Sequence, residues 1–235
     1  MSKPLVFAHR GASGSRFENT MKAFKKAYEQ GADGIELDVQ LSEDGVPFVV
    51  HDPELSRVAG VRMPISKMTS AELLKVRVGR KYCRLFTGGH RIPTLMEAVL
   101  FCQTHGMALN VELKETVAER PEYIEQIVDI VSLLEDVHIS SFDYHSLEKV
   151  KEVDATMETA YLIRKNAVDW ERLDRYVSAD GFHFSQKFLK EPYIGKLTAE
   201  GKKIRVYGVT GGESMIANPP PFIDGWITDY PDQFN

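Results

Sequence analysis

Residues 34–40 read Gly-Ile-Glu-Leu-Asp-Val-Gln, and their alternating pattern is the first indication of the architecture. Alternate side chains of a strand point to opposite faces, so Ile35 and Leu37 share one face while Glu36 and Asp38 share the other. Two carboxylates on one face repel each other unless a cation lies between them. The alternative is a half-exposed strand with solvated acids, but the apolar pair marks its own face as packed. We therefore predict a barrel strand with both acids in the interior or at the mouth.

Similar strand-like stretches recur along the chain and alternate with helical patterns. The strand candidates are residues 5–9, 34–40, 108–114, 137–142, 159–164, 180–184, 203–209 and 225–229. Most are short and rich in Val, Ile and aromatic residues, as buried parallel strands are. The helical patterns lie at 18–30, 94–105, 121–135, 144–153, 168–177 and 192–200, and a proline run at 219–221 should shorten the seventh helix. Eight such units in a row predict a closed (β/α)8 TIM barrel in the α/β class.

A ninth strand-like run, 46–51, interrupts the alternation of strands and helices. Residues 42–45 join it to 34–40, which is enough for a hairpin turn and too short for a parallel crossover. The chain should therefore return toward the two acids, which brings His51 to about their level. Residues 53–91 show weak periodicity with one short helix near 70–74, and we interpret them as a small rim insertion. Residues 1–235 are thus expected to form a single barrel domain.

Composition excludes several classes of protein. The chain has 235 residues, with 29 basic and 34 acidic side chains and a net charge of −5. It has no basic run of the kind that binds nucleic acid or an anionic membrane surface. No apolar run approaches the roughly 18 residues of a membrane span, and the first apolar stretch is too short for a signal peptide. We expect a cytoplasmic protein without stable membrane insertion, in which Cys83 and Cys102 stay reduced.

A second acidic strand strengthens the prediction of a metal site. Glu112 and Lys114 share one face of the strand at 108–114. Alone, they would be read as a salt bridge within the strand. With Glu36 and Asp38 on a neighbouring strand, Glu112 becomes the third carboxylate of an oxygen-rich site, which suits Mg²⁺ or Ca²⁺. Lys114 would then be a fixed cation suited to a phosphate oxygen.

Two histidines complete the chemistry. His9 and Arg10 follow one another at the end of the first strand, where barrels place catalytic groups. A histidine alone there is most often structural, but the adjacent Arg10 indicates an anion site. His51 should reach the same mouth from the hairpin. Two imidazoles beside a metal and fixed cations are suited to phosphodiester cleavage by general acid and general base.

Taken in chain order, the motifs resemble those of glycerophosphodiester phosphodiesterases. The motifs are His9-Arg10-Gly11, Glu18-Asn19-Thr20, residues 31–39, Asp44-Gly45 leading to His51-Asp52, residues 92–95, Glu112-Leu113-Lys114, residues 139–142 and residues 227–231. The resemblance covers the whole chain, including the rim insertion.

The resemblance implies a mechanism for this chain. It implies one divalent cation, Mg²⁺ or Ca²⁺, held by Glu36, Asp38 and Glu112. It implies His9 and His51 as the acid/base pair, with Arg10 and Lys114 on the phosphate. A glycerol hydroxyl would act as an internal nucleophile, and the products would be sn-glycerol 3-phosphate and an alcohol. Phe142, Tyr207 and Trp226 are aromatic candidates for the pocket, with core packing favoured for Trp226.

One departure bears on specificity. Gly208 stands where the family usually carries a tryptophan, which predicts an open pocket without a preference for choline. The partner is thus a small glycerophosphodiester, and assembly as a homodimer is left open. A sibling phosphodiesterase acting on lysophospholipids or phosphoinositides is the alternative enzyme. A barrel that binds phosphodiesters without turnover is the alternative outside enzymes, although the expected catalytic residues are all present.

Overall fold

The computed structural model describes residues 3–82, 86, 88–164, 168–189 and 191–234. Its strands are β1 (Leu5–His9), β2 (Gly34–Leu41), β3 (Pro47–Val49), β4 (Arg77–Val78), β5 (His90–Arg91), β6 (Ala108–Leu113), β7 (Val137–Ser141), β8 (Glu158–Leu162), β9 (Gly181–Ser185), β10 (Lys203–Val209) and β11 (Gly225–Thr228). The α-helices are α1 (Met21–Glu29), α2 (Ser56–Ala59), α3 (Ser70–Leu73), α4 (Leu95–His105), α5 (Glu115–Ala118), α6 (Ile124–Val131), α7 (Tyr144–Val153), α8 (Glu191–Ala199) and α9 (Ser214–Ala217).

Eight parallel strands close into a barrel. The first strand, β1, pairs in parallel with both β2 and β11, and the ring runs β1-β2-β6-β7-β8-β9-β10-β11. The ninth strand of this sheet, β3, pairs antiparallel with β2 and lies outside the ring. The predicted TIM barrel and its extra hairpin strand are therefore confirmed.

The two faces of the barrel strands differ in chemistry. One face carries apolar residues such as Ile35, Leu37, Val111 and Phe182, which are fully buried in the main hydrophobic core. The other face is unusually polar for a barrel interior, which branched apolar residues commonly fill. Its buried members below the mouth include Asn110, His138, Ser140, His183 and Arg205. The interior is therefore built for polar contacts as well as for packing.

The rim insertion packs over a smaller apolar cluster of its own. Phe48 and Val50 from the hairpin meet Leu55, Ile65 and Leu73 of the insertion, all of them buried. The helix α3 lies within the predicted 70–74, and a capping box of Thr69 and Glu72 starts it. The insertion is thereby tied to the hairpin that carries His51.

Three helix predictions needed correction. The predicted helix at 168–177 is wrong, because the described residues there contain only the 3-10 turn Leu173–Tyr176. The carboxylate of Asp169 accepts the backbone N–H of Glu171 at 3.3 Å, a local bond that competes with a helix. The predicted helix at 121–135 is a 3-10 turn, Pro121–Tyr123, followed by α6. The one at 18–30 begins only at α1, with Thr20 as its cap.

Cys102 is buried in α4 as a free thiol that packs in the hydrophobic core, and burial raises the pKa of this thiol to about 12. Cys83 lies outside the described residues. Among the described residues, none of the helices combines the length and the apolar composition that a membrane span requires.

Candidate active site

Three carboxylates from two adjacent strands meet at the mouth of the barrel. Asp38 of β2 lies opposite Glu112 of β6 in the parallel register, and Glu36 shares the face of Asp38. One oxygen from each lies within 4.8 Å of the others. Glu36, Asp38 and Glu112 are only 3%, 0% and 7% exposed. The alternation of residues 34–40 therefore produces the convergent acids that the sequence predicted.

Burial and mutual repulsion perturb the three carboxyl groups differently. Burial raises the pKa of Glu36 to about 7; His9 opposes this, while Asp38 and Glu112 add to it. Burial and the charge of Asp38 also raise the pKa of Glu112, against the opposing effect of Lys114. Burial works against the charged form of Asp38 too, but Arg10 and Lys114 outweigh it and lower its pKa. Two of the three carboxyl groups are therefore disfavoured in their charged form, and only Asp38 is stabilised as a carboxylate.

The donor atoms fit a hard divalent cation. The site offers only oxygen ligands, the set that Mg²⁺ and Ca²⁺ prefer. Asp38 Oδ1 is buried and makes no hydrogen bond within the described ranges, although Lys114 Nζ lies 3.5 Å away. A buried carboxylate oxygen without a hydrogen bond is costly unless a cation reaches it. The residues present therefore match the cation that the resemblance implies.

His9 is held by a carboxylate from the opposite end of the chain. Its Nδ1 lies 2.6 Å from Asp229 Oδ1, and that oxygen also accepts the hydroxyl of Ser13 at 2.8 Å. Its Nε2 lies 4.0 Å from Glu36 Oε2. Burial disfavours the imidazolium, but Glu36 and Asp229 outweigh burial and raise the pKa of His9. Asp229 thus orients the ring and leaves Nε2 available to substrate.

His51, which follows the hairpin strand β3, is also oriented by a carboxylate at its Nδ1. Its Nδ1 lies 2.7 Å from Asp52 Oδ1. Arg57, from α2 of the rim insertion, pairs with Asp52 and also with Glu18. Glu18 in turn accepts Arg10 Nη1 at 3.0 Å. A chain of charged side chains therefore links the orienting carboxylate of His51 to the arginine beside His9.

The loop after β1 adopts a restricted backbone conformation to make these contacts. Arg10 and Asn19 are the two non-glycine residues with positive φ in the described ranges, at 56° and 52°. The backbone N–H of Arg10 donates to the Glu36 carboxylate at 3.0 Å, and Asn19 Nδ2 donates to Asp38 at 2.8 Å. Strained residues of this kind concentrate at functional sites. Here both position the acidic cluster.

One cavity collects these groups. It has a volume of about 290 Å³ and is lined by His9, Arg10, Glu36, His51, Asn110, Glu112, Lys114, Phe142, Leu162, His183, Tyr207 and Ile227. All the predicted catalytic and substrate-binding residues line it, together with two of the three predicted metal ligands. The third, Asp38, lies fully buried behind Arg10 and Lys114. Trp226 lies in the hydrophobic core, as expected.

Gly208 has room for a side chain but an unfavourable backbone. A Cβ there would meet nothing within 4 Å, so the position is open. Its φ is +77°, and the β10–β11 register shifts between Tyr207 and Val209. Any other residue would be strained at this φ. Position 208 therefore lacks a side chain at the same point where the pairing of β10 with β11 becomes irregular.

Several residues of the site were not assigned from sequence. Asp229 and Glu18 belong to recognisable motifs, but no local signal showed that they face His9 and Arg10. Arg57 lies in the insertion and carried no signal. His183 forms the floor of the cavity, and neither of its ring nitrogens has a hydrogen-bond partner within the described ranges. Burial, with a contribution from Arg205, lowers the pKa of His183 well below its ordinary value, so it is neutral.

The carboxyl ends of parallel strands are where (β/α)8-barrel enzymes carry out their chemistry, and the chain is an enzyme of this class. The model of the glycerophosphoryl diester phosphodiesterase family matches residues 9–233. The chain belongs to this family and is a phosphoric diester hydrolase.

Known relatives resemble the chain over nearly its whole length. A glycerophosphodiester phosphodiesterase of Caldanaerobacter subterraneus is 34% identical, with 98% of this chain and 96% of the relative covered. One of Bacillus altitudinis is 32% identical, with 97% and 95% covered. A solved Oleispira antarctica phosphodiesterase, in complex with the product sn-glycerol-3-phosphate, superposes with a TM-score of 0.87 at 30% identity and covers 99% of this chain and 95% of its own.

Proposed function

We propose that the protein hydrolyses glycerophosphodiesters to sn-glycerol 3-phosphate and an alcohol, with a divalent cation and two histidines. The observation that carries the proposal is the cavity in which two carboxylate-oriented imidazoles flank an acidic cluster and two cations. The solved relative that holds sn-glycerol-3-phosphate supports the identity of the product.

Glu36, Asp38 and Glu112 would hold the cation. Bound there, Mg²⁺ or Ca²⁺ would supply positive charge that favours attack on the phosphate. Arg10 and Lys114 bind the remaining phosphate oxygens, because both lie at the cluster and line the same cavity. Fixed cations on the phosphate stabilise the charge that develops as the diester is broken.

The two histidines move protons through Nε2. Because Asp229 and Asp52 each engage an Nδ1, the second nitrogen of each ring serves the substrate. One imidazole takes the proton from the attacking hydroxyl, which belongs to the substrate's own glycerol or to water. The other gives a proton to the leaving alcohol oxygen. If the glycerol hydroxyl attacks first, the cyclic phosphate that forms is opened by water with the roles reversed.

Direct assays test the proposal. Purified protein, treated with a chelator and then supplied with Mg²⁺ or Ca²⁺, should release sn-glycerol 3-phosphate from glycerophosphoglycerol. A lysophospholipid offered in parallel tests the alternative substrate class. Turnover of the lysophospholipid alone would contradict the proposal, as would undiminished activity with the chelator present.

A further inference from the structure

A second cavity opens beside the first on the side of β7 and β8. It has a volume of about 450 Å³ and shares His51, Glu112, Lys114 and Phe142 with the first cavity. Beyond these it is walled by Glu115, Asp143 and Arg164, among others. A substrate whose phosphate meets Lys114 would therefore extend its alcohol into this space, which we call the Arg164 cavity.

The acidic groups of the Arg164 cavity are already engaged by the protein. Glu112 pairs with Lys114 Nζ at 2.6 Å. Glu115 accepts the amide of Gln40 at 2.9 Å. Asp143 caps α7 by accepting the backbone N–H of Ser146 at 2.9 Å and its hydroxyl at 2.7 Å. Their oxygens are thus partly satisfied before any ligand arrives.

Arg164 differs from these acids. Its side chain is exposed, and its guanidinium has no carboxylate partner within the described ranges. The guanidinium lies over the ring of Phe142, with Cζ 4.7 Å from the ring centroid. Stacking on an aromatic ring restricts the long side chain while leaving its N–H groups able to bind an anion in a bidentate manner. Arg164 is therefore held in place, and its N–H groups make no hydrogen bond to another residue that the structure describes.

The same contact disfavours a cationic alcohol. Lys114 Nζ also lies 6.0 Å from the centroid of the Phe142 ring, so two cations already lie near this ring. A choline-like group would find the aromatic surface occupied and would meet like charge. A phosphate in this cavity would instead meet Arg164, while Lys114 binds the phosphate that is cleaved, an arrangement suited to an extended substrate with two phosphates.

We propose that the Arg164 cavity is a subsite for an alcohol that bears a phosphate of its own, with Arg164 as its specificity-determining residue. The inference rests on the proposed function, because it assumes that the first phosphate is cleaved beside Lys114. The substrates it favours are glycerophosphodiesters whose leaving alcohol carries a second phosphate, either as a diester or as a monoester.

Matched substrates test this inference. Glycerophosphoglycerol and bis(glycerophospho)glycerol present the same glycerol to the reacting phosphate, and only the second carries another phosphate. At low salt we expect kcat/KM for bis(glycerophospho)glycerol to exceed that for glycerophosphoglycerol by about tenfold, with Arg164→Gln removing most of this ratio. Arg164→Lys should restore part of it, since charge is kept and the planar fork is lost. Glycerophosphoglycerol phosphate carries its second phosphate as a monoester. Its kcat/KM, compared with that of bis(glycerophospho)glycerol, shows whether the cavity favours a monoester or a diester.

Arg172→Gln is the matched control. Arg172 is also an exposed arginine, but it pairs with Asp174 and lines neither cavity. This variant should keep the wild-type ratio. A wild-type ratio near one, a preference for glycerophosphocholine, or an unchanged ratio in Arg164→Gln would overturn the inference while leaving the proposed function intact. Failure to turn over any of these diesters would overturn the proposed function and the inference with it.

Discussion

Asp229 Oδ1 lies 2.6 Å from His9 Nδ1, although 220 positions separate the two residues in the sequence. The contact joins the ends of β11 and β1, neighbouring strands of the closed barrel. It selects the tautomer of His9 in which Nδ1 carries the proton and Nε2 faces the substrate. Closure of the barrel is therefore a condition for a competent His9.

Asp229→Asn tests this role. The amide keeps the size of the side chain but can donate to Nδ1, which favours the wrong tautomer. We expect kcat to fall about 10²-fold or more, with a thermal unfolding midpoint near that of the wild type. Ser13→Ala removes the hydrogen bond that the Ser13 hydroxyl donates to the Asp229 carboxylate and is the matched control, with a much smaller effect. Normal kcat in Asp229→Asn would show that the carboxylate does not orient His9.

The two histidines should act as one unit. His9→Ala and His51→Ala should each lower kcat by at least about 10²-fold, and the double variant should be little worse than the poorer single one. Steady-state kinetics on glycerophosphoglycerol measures both values. His145→Ala provides the control, because His145 is exposed on α7 and lies outside the cavity. Additive losses, or a near-normal turnover in His51→Ala, would remove the paired mechanism.

A cation at the acidic cluster should stabilise the fold, independently of catalysis. After chelator treatment, Mg²⁺ or Ca²⁺ at 100 times its Kd should add about 2.7 kcal/mol, which is roughly 5–10 °C in Tm for a chain of this size. Glu36→Gln removes one buried like charge, so its metal-free form should unfold no earlier than the wild type while losing most of the cation-dependent shift.

Glu115→Gln is the control for this measurement. Glu115 is an acid close to the site but outside the cluster, so its variant should keep the shift. An equal shift in Glu36→Gln would place the cation elsewhere. Differential scanning calorimetry at several metal concentrations gives both the shift and its saturation.

Asp44, in the turn between β2 and β3, should make a pH-dependent contribution to the free energy of unfolding. Asp44 accepts hydrogen bonds from Ser70 N at 2.8 Å, Ser70 Oγ at 2.6 Å and Ser42 Oγ at 2.7 Å. The bonds from Ser70 and Ser42 lower the pKa of Asp44 to about 2. A depressed folded-state pKa means that the stabilisation is present above the ordinary value of about 3.8 and is lost as the pH falls through about 2.

Asp44→Asn should therefore lower the free energy of unfolding by about 0.5–1 kcal/mol at pH 7, the modest size expected of an exposed site. The difference from wild type should shrink as the pH falls from about 4 toward 2. Urea unfolding at pH 7, 4 and 3 measures it. Glu43→Gln changes the neighbouring acid of the same turn and should show no such trend. A constant difference across this range would contradict the assignment to the carboxylate.

Two stretches of the chain show what a local sequence pattern can predict and what it cannot. The stretch 34–40 predicted β2 and the face of its acids, and the short connection 42–45 predicted the antiparallel return of β3, because strand periodicity and turn length are local properties. The pattern at 168–177 failed for an equally local reason, the side-chain bond from Asp169 to the backbone of Glu171. Apolar spacing alone does not show which backbone bonds a polar side chain will capture.

Local patterns along the chain were enough to predict the barrel class, the two acidic strands and the histidines at strand ends. Alternation puts Glu36 and Asp38 on one face, and parallel strands bring their carboxyl ends to one mouth. Three contacts of the site became visible only in the folded chain: Asp229 with His9, Arg57 with Asp52, and Arg164 stacked on Phe142. These contacts depend on ring closure, on the docking of the insertion and on the register between β7 and β8. None of these is encoded in the spacing of residues along a single strand, because each is the outcome of long-range packing.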